Sequence, residues 1–374
     1  MIPGLSAILR ARVLVALFVT VGAVAGTAVA AAQSFIGGFN SVTSLGTTVP
    51  MNGDENPYGV AWVPVTKGKL VAGQFLVSNF NNSGNLQGTG TTIVEMTKDG
   101  NQSLFAEIDP NVVNCPGGVG LTTALVALRS GYVVVGSLPT TDGMSDTAEA
   151  GCLLILDWNG AVVQTIVGHH LNGPWDMTAA DGDDLVVLFV TNVLNGTVKA
   201  NGNVVREGSI VRLLLAFPDH GAPQLLTSAV IADDFPERTD PAALVIGPTG
   251  VVFDSNTGIL YVADSLDNRI AAIPNALFRW DDAGAGLTVS KNGELSDPLG
   301  LAMTPNHHLV SANGNNGYIV EVNPANGRQV AEKLVDSTMS PGLQPGAGAL
   351  FGLIATNDGV YFVDDAVNTF DLLN

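Results

Sequence analysis

The chain has 374 residues, 44 of them glycine and 19 proline; 46% is hydrophobic and only 13% charged, a globular and not a disordered composition. Its formal net charge is −19 at pH 7, so phosphate backbones and anionic lipid are repelled and nucleic acid is excluded as a partner. A small molecule, a glycan, a cation or another protein remains open.

Residues 1–32 read as a signal peptide. Arg10 and Arg12 supply a positive flank, residues 13–29 are apolar and uncharged, and Ala28-Val29-Ala30 and Ala30-Ala31-Ala32 are small-x-small cleavage patterns. The expectation is a secreted or periplasmic protein with no stable membrane anchor after cleavage. Losing the two arginines takes the charge from −19 to −21. An uncleaved anchor is the competing reading; Gly22, Gly26 and the alanines weigh against it.

Residues 35–45 are strand-like and belong to no repeat. After them one pattern recurs. Unit one opens at Pro57-Tyr58-Gly59-Val60, ends its second strand at Leu76-Val77-Ser78-Asn79 and continues over 92–96 and 103–108. Unit two opens at Pro116-Gly117-Gly118-Val119, reaches Val134-Val135-Gly136-Ser137, then 153–157 and 162–167. Unit three, Pro174-Trp175-Asp176-Met177, replaces the glycine and proceeds to Phe189-Val190-Thr191-Asn192 and 210–214. Unit four is the clearest: Pro248-Thr249-Gly250-Val251, then Tyr261-Val262-Ala263-Asp264, then 270–273. Unit five runs from Pro298-Leu299-Gly300-Leu301 through Val310-Ser311-Ala312-Asn313 to 318–322 and 329–335. Unit six opens without proline at Leu350-Phe351-Gly352-Leu353, reaches Tyr361-Phe362-Val363-Asp364 and stops after a third strand at 367–372.

Short β-rich runs separated by Gly, Asn and Asp turns make antiparallel meanders. Six meanders, the last one strand short, predict an all-β, six-bladed β-propeller of four-stranded antiparallel blades over residues 33–374. Residues 35–45 would supply the missing strand and close the ring, removing the open edge. The units resemble the NHL repeats of six-bladed propellers, the fourth best, through Pro248-Thr249-Gly250-Val251, Leu260-Tyr261-Val262-Ala263-Asp264 and Asn268-Arg269-Ile270. The resemblance spans 35–374 and implies architecture; that fold carries binding proteins, lactonases and lyases alike.

In such a blade, loops entering strand one and loops joining strands two and three share one face, the upper one. Here those segments are long: 80–91, 138–150, 193–207 and 233–246. Extra loop length on a rigid scaffold is where binding usually sits. The second strands end in Asn79, Ser137, Asn192, Asp264, Asn313 and Asp364. These either bond their own turns or form a polar, ligand-binding ring. Glu55, Asn172 and Asp297 precede first strands, and oxygen donors from different blades suit a hard cation such as calcium. Calcium-dependent lactonase propellers converge a Glu, an Asn and an Asp in this way, although the motif around their glutamate is absent here. His169 and His170 are either a general base on the upper face or two loop residues. Trp175 sits at the channel mouth, to stack on a ligand ring or to plug the axis. Cys115 and Cys152 both map to the top of unit two and can form a disulfide in an exported chain; a reactive thiol is the alternative. The functional expectation is an exported binding or scaffold protein presenting a ligand or protein site on the long-loop face. Its alternative is a divalent-cation-dependent lactonase or lyase with an axial metal site.

Overall fold

In all six units the anchor, or its substitute, lies on the innermost strand of a sheet, and there the pairing with the second strand slips. The computed structural model describes residues 33–374 except 112, 183, 219–221 and 242; the expected signal peptide and His220 lie outside the described residues. Residues 34–374 form one compact unit.

Blade I consists of Glu55–Trp62, Phe75–Asn81, Thr92–Met96 and Gln102–Glu107, and blade II of Leu121–Ala127, Val133–Ser137, Cys152–Leu156 and Val162–Ile166. Blade III has Pro174–Asp181, Leu185–Asn192, Val205–Ala216 and Gln224–Asp240, with Leu244–Ile246 as a fifth strand. Blade IV has Pro248–Asp254, Ile259–Asp264, Arg269–Ile273 and Leu287–Lys291; blade V has Pro298–Met303, Leu309–Asn313, Tyr318–Asn323 and Arg328–Leu334. Blade VI takes Leu350–Thr356, Gly359–Asp364 and Thr369–Leu373 from the end of the chain and Val42–Thr47 from its beginning. Val42 pairs with Leu373 and Thr47 with Thr369, antiparallel, so the ring is closed as the repeat count requires.

The slip is a β-bulge, and it has a physical cause. The register jumps between Pro57 and Gly59, Leu121 and Leu125, Pro174 and Met177, Pro248 and Val251, Pro298 and Leu301, and Leu350 and Leu353. A bulge bends and twists a strand, which lets the inner strands crowd the axis. A Cβ on Gly300 would stand 2.1 Å from the Phe351 carbonyl oxygen, and one on Gly352 would stand 2.2 Å from that of Tyr58. The anchor glycines are therefore places where one blade's backbone rests on the next.

Two expectations are corrected. In blade II, Pro116-Gly117-Gly118-Val119 lies in the entering loop. Leu121 pairs with Ser137, the place held elsewhere by Pro57 opposite Asn79 and Pro248 opposite Asp264. One extra residue in that bulge moved the structural anchor to Leu121–Leu125. In blade III, 193–204 is a loop with one helical turn, Thr197–Ala200, but 205–207 and 233–246 are not open loops. Strands three and four extend into a long hairpin, and Leu244–Ile246 pairs back on to Arg238–Asp240. Leu244, Val245 and Ile246 are buried over the axis; polar residues on the hairpin's outer face masked its strand character.

Apolar side chains fill the space between neighbouring blades. Leu76 and Ile93 of blade I, for example, meet Leu121, Val135 and Leu154 of blade II. Cys115 and Cys152 form a disulfide with Cα atoms 5.6 Å apart. First and third strands lie about 9.5 Å apart, and the bond is reached because Cys115 lies in the entering loop and not on the strand. Among the described residues no helix is long and apolar enough to cross a membrane.

Replacing both cysteines with alanine should lower unfolding free energy by roughly 2–4 kcal/mol, measured by denaturant melts; an unchanged midpoint contradicts a folded-state bond. Deleting 34–47 should abolish the single cooperative transition in calorimetry, because blade VI loses its outer strand.

Candidate functional site

In four blades the second anchor residue, Tyr58, Trp175, Leu299 or Phe351, packs into one axial cluster, and there aromatic rings meet. Tyr58 stacks on Phe351 at 3.9 Å between centroids and lies 6.2 Å from Trp175, which is 6.4 Å from Phe351. Leu299 packs in the same cluster. Trp175 Nε1 donates to the Val245 carbonyl at 3.3 Å, pinning the blade III hairpin over the axis. Trp175 is 2% exposed, so it is part of a plug. The plug separates an upper pocket, which includes Leu299 and Phe351 in its lining, from a lower channel cavity lined by Asp176, Val251 and Ile354.

The upper pocket holds about 330 Å³ and is lined by Arg238, Asp240, Asn268 and Asp297 besides those apolar residues. Asp297 is placed by its backbone. It has φ of +55°, its N–H donates to Asn268 Oδ1 at 2.6 Å and its carbonyl accepts from Gly314 N at 2.7 Å. The carboxyl lies over Gly314, where a Cβ would come within 2.9 Å of Oδ2. Burial pushes it up to about 7; Asp240 adds to the shift and Arg238 opposes it. Arg238 and Asp240 form an ion pair at 2.7 Å. Asp365 is pushed up to about 8 by burial, then by Asp364 and Glu55. The Tyr58 hydroxyl is fully buried, which pushes its pKa up; Asp365 adds to the shift and the Asn56 side chain opposes it. A carboxyl that titrates near neutrality inside a pocket is suited to giving and taking protons.

The other predicted residues are placed as follows. Asn79 donates to Thr48 O and Thr92 Oγ1. Asn192 accepts from Asn172 N and Gly173 N and donates to His170 O. Asn313 accepts from Ser296 N and donates to Glu294 O. Ser137 bridges Gly118 O and Gly120 N, and Asp264 pairs with Arg269 at 2.6 Å. Asp364 is buried and pushed up to about 7 by burial, then by Asp336 and Asp371. These strand ends are thus tied into their own blades, mostly to the loop that enters them. Asn172 donates to Asn195 Oδ1 while its own Oδ1 is buried without a partner. The charged neighbours of Asp297 are Asp240 and Arg238, and Glu55 acts on Asp365. Among the described residues no three His, Cys, Asp or Glu side chains are grouped to hold a metal ion. His169 and His170 are exposed, both at positive φ, and His169 lies 3.5 Å from Ser228 Oγ.

Sequence reasoning passed over Tyr58 and Asp365, and it took Arg238 and Asp240 only as charges of a long upper-face loop, not as a pair. The pair lies in a segment taken for a loop, and Tyr58 occupies the same anchor position that drew attention to Trp175. Asp176, the residue that replaces glycine, lies deep in the lower channel. Its Oδ2 accepts from Val251 N of the next blade at 3.1 Å, and burial pushes its carboxyl up to about 8.

No protein-family model matches the chain, and no curated protein matches it in sequence. Solved structures do. A gluconolactonase from Xanthomonas campestris aligns with a TM-score of 0.51 and 14% identity, over 89% of this chain and 88% of that one. The PQQ-bound aldose sugar dehydrogenase of Streptomyces coelicolor aligns with a TM-score of 0.51 and 14% identity, over 89% and 98%. A virginiamycin B lyase from Staphylococcus aureus gives a TM-score of 0.49 and 12% identity, over 89% and 99%. At such identities the likeness is one of fold: this chain is an all-β six-bladed propeller.

Asp176 also carries a pH signature. In the folded state it keeps its proton to about pH 8, whereas the unfolded chain loses it near pH 4. Between those values the folded state binds more protons, so stability falls as pH rises. Asp176→Asn should match the parent melting temperature near pH 4 and exceed it increasingly towards pH 8. A pH-independent difference would refute the assignment.

Proposed function

We propose that this chain is an exported enzyme of acid–base type, a hydrolase or lyase that works on a small uncharged ring substrate in the upper pocket. The observation that carries this reading is the Asp297 carboxyl, facing a cavity of about 330 Å³ and titrating near 7. Lactones are the substrate class to try first, since the gluconolactonase shares the fold. Asp297 as carboxylate takes a proton from the attacking water, then returns it to the ring oxygen as the acyl–oxygen bond breaks. Arg238, held by Asp240, offers positive charge to the oxyanion that develops between those steps. The acidic surroundings disfavour an anionic substrate.

The presentation-scaffold reading is the weaker one, because one of its four loops, 233–246, is folded into a hairpin packed over the axis. Export rests on residues 1–32 as a signal peptide and is supported by the disulfide, which belongs to an oxidising compartment. Kinship to the NHL repeats is part of the same proposal. A calcium-assisted form of the reaction would take Glu55, Asn172 and Asp297 as ligands; the buried, unpartnered Asn172 Oδ1 favours it, and the lack of a grouped donor set among the described residues does not.

Hydrolysis of five- and six-membered aldonolactones by the purified protein tests the proposal. Asp297→Asn should lower kcat/KM by about 10²–10⁴, and activity should rise with pH through a midpoint near 7 as the carboxylate forms. No turnover above spontaneous hydrolysis, or full activity in Asp297→Asn, sinks it. Activity that vanishes on chelation and returns with calcium speaks for the cation-assisted form.

A further inference from the structure

A third pocket, away from the axis, lies between blades III and IV at the lower face and holds about 580 Å³. Leu185, Val187 and Phe253 give it an apolar wall, and Phe278 and Trp280 stand at its rim, 71% and 78% exposed. The loop that carries those two rings, between Arg269–Ile273 and Leu287–Lys291, is held by Arg212. Arg212 Nη1 donates to the carbonyls of Ala276 and Leu277 at 3.1 and 2.8 Å, and its guanidinium lies 5.1 Å from the Trp280 ring centroid.

Arg212 is 6% exposed, and among the described residues no carboxylate pairs with it. Two neutral carbonyls satisfy one nitrogen and leave the charge uncompensated. An arginine has five N–H donors, so Nε and Nη2 keep theirs for another acceptor. Burial lowers its affinity for a proton, yet a guanidinium stays charged at any physiological pH. Asp181, the acid in the same lining, pairs with Arg129 instead: its Oδ2 accepts from the Arg129 backbone N–H at 2.7 Å and lies 3.6 Å from Arg129 Nε, while its Oδ1 is buried without a partner. In a chain with 34 acidic against 15 basic residues, a cation without a paired carboxylate, open to a pocket beneath exposed aromatic rings, is placed to receive an anion that enters it.

We propose that this pocket binds a hydrophobic monocarboxylate, an aliphatic or aryl-alkyl acid whose carboxylate pairs with Arg212 and whose apolar body lies along Phe253, Phe278 and Trp280. The fork of an arginine matches a carboxylate with two parallel hydrogen bonds. Removing water from the two exposed rings and the acid's tail supplies the rest of the attraction. The site is independent of Asp297 and of the reaction assigned to it.

Calorimetric titration of the purified protein with octanoate and with 3-phenylpropionate, each beside its neutral amide, tests this. The acids should bind saturably and the amides about tenfold more weakly or not at all, the penalty of an unpaired buried charge. Arg212→Gln should weaken the acids by about tenfold or more. Trp280→Ala, at an exposed position, should keep the parent fold and weaken them by about threefold or more. Should Arg212→Gln fail to fold by circular dichroism, the acid-to-amide ratio and Trp280→Ala decide. The proposal is overturned by absence of saturable heat up to roughly 5 mM, where even a weak site would half fill. It is equally overturned by amides that bind as tightly as acids, or by a Trp280→Ala variant of parental affinity.

Discussion

Everything in this molecule follows from how closely six inner strands approach one axis. At Gly250, Gly300 and Gly352 the backbone of one blade rests against the carbonyl oxygen of the next, with 2.1 to 2.3 Å left for a Cβ that is not there. The bulges permit that approach, and in four blades they set the second anchor residue, Tyr58, Trp175, Leu299 or Phe351, at the centre. Large residues at three of those positions, Tyr58, Trp175 and Phe351, then fill the channel and divide it. One packing constraint thus sets both the curvature of the ring and the location of its pockets.

Charge is the second theme. With a net charge of −19 the body is strongly acidic, and the ring brings carboxyls into buried places where ionisation is opposed. Asp176, Glu237 and Asp365 are pushed up to about 8, and Asp297 and Asp364 to about 7, burial being the first cause in each. Such groups hold protons that an exposed carboxyl would have lost. Positive charge is scarce, and two of the pockets are lined by an arginine: Arg238 above the axis, paired with Asp240, and Arg212 at the lower face, without an acid.

The polar residues that end the second strands illustrate how a repeat can signal architecture and chemistry in the same letters. Asn79, Ser137, Asn192 and Asn313 each bind the loop that enters their own blade. A buried backbone group without a partner is expensive, so any blade whose entering loop turns inward needs a short polar side chain at that point. The need recurs once per blade, whatever the protein does.

The repeat count, the closing strand and the disulfide were legible in the residues alone, because each depends on local pattern: strand-length runs, turn residues, a last unit one strand short and two cysteines at the top of one unit. Blade II was misplaced by five residues, since a Pro-Gly-Gly loop imitates the anchor better than Leu121-Thr122-Thr123-Ala124 does. What only the folded chain decided is which distant residues meet. Arg238 and Asp240 reach Asp297 because a hairpin crosses the axis, and Arg212 lies beneath Trp280 because two blades pack side by side. No local pattern encodes those meetings; they are fixed by the curvature that close packing of bulged inner strands imposes on the whole ring.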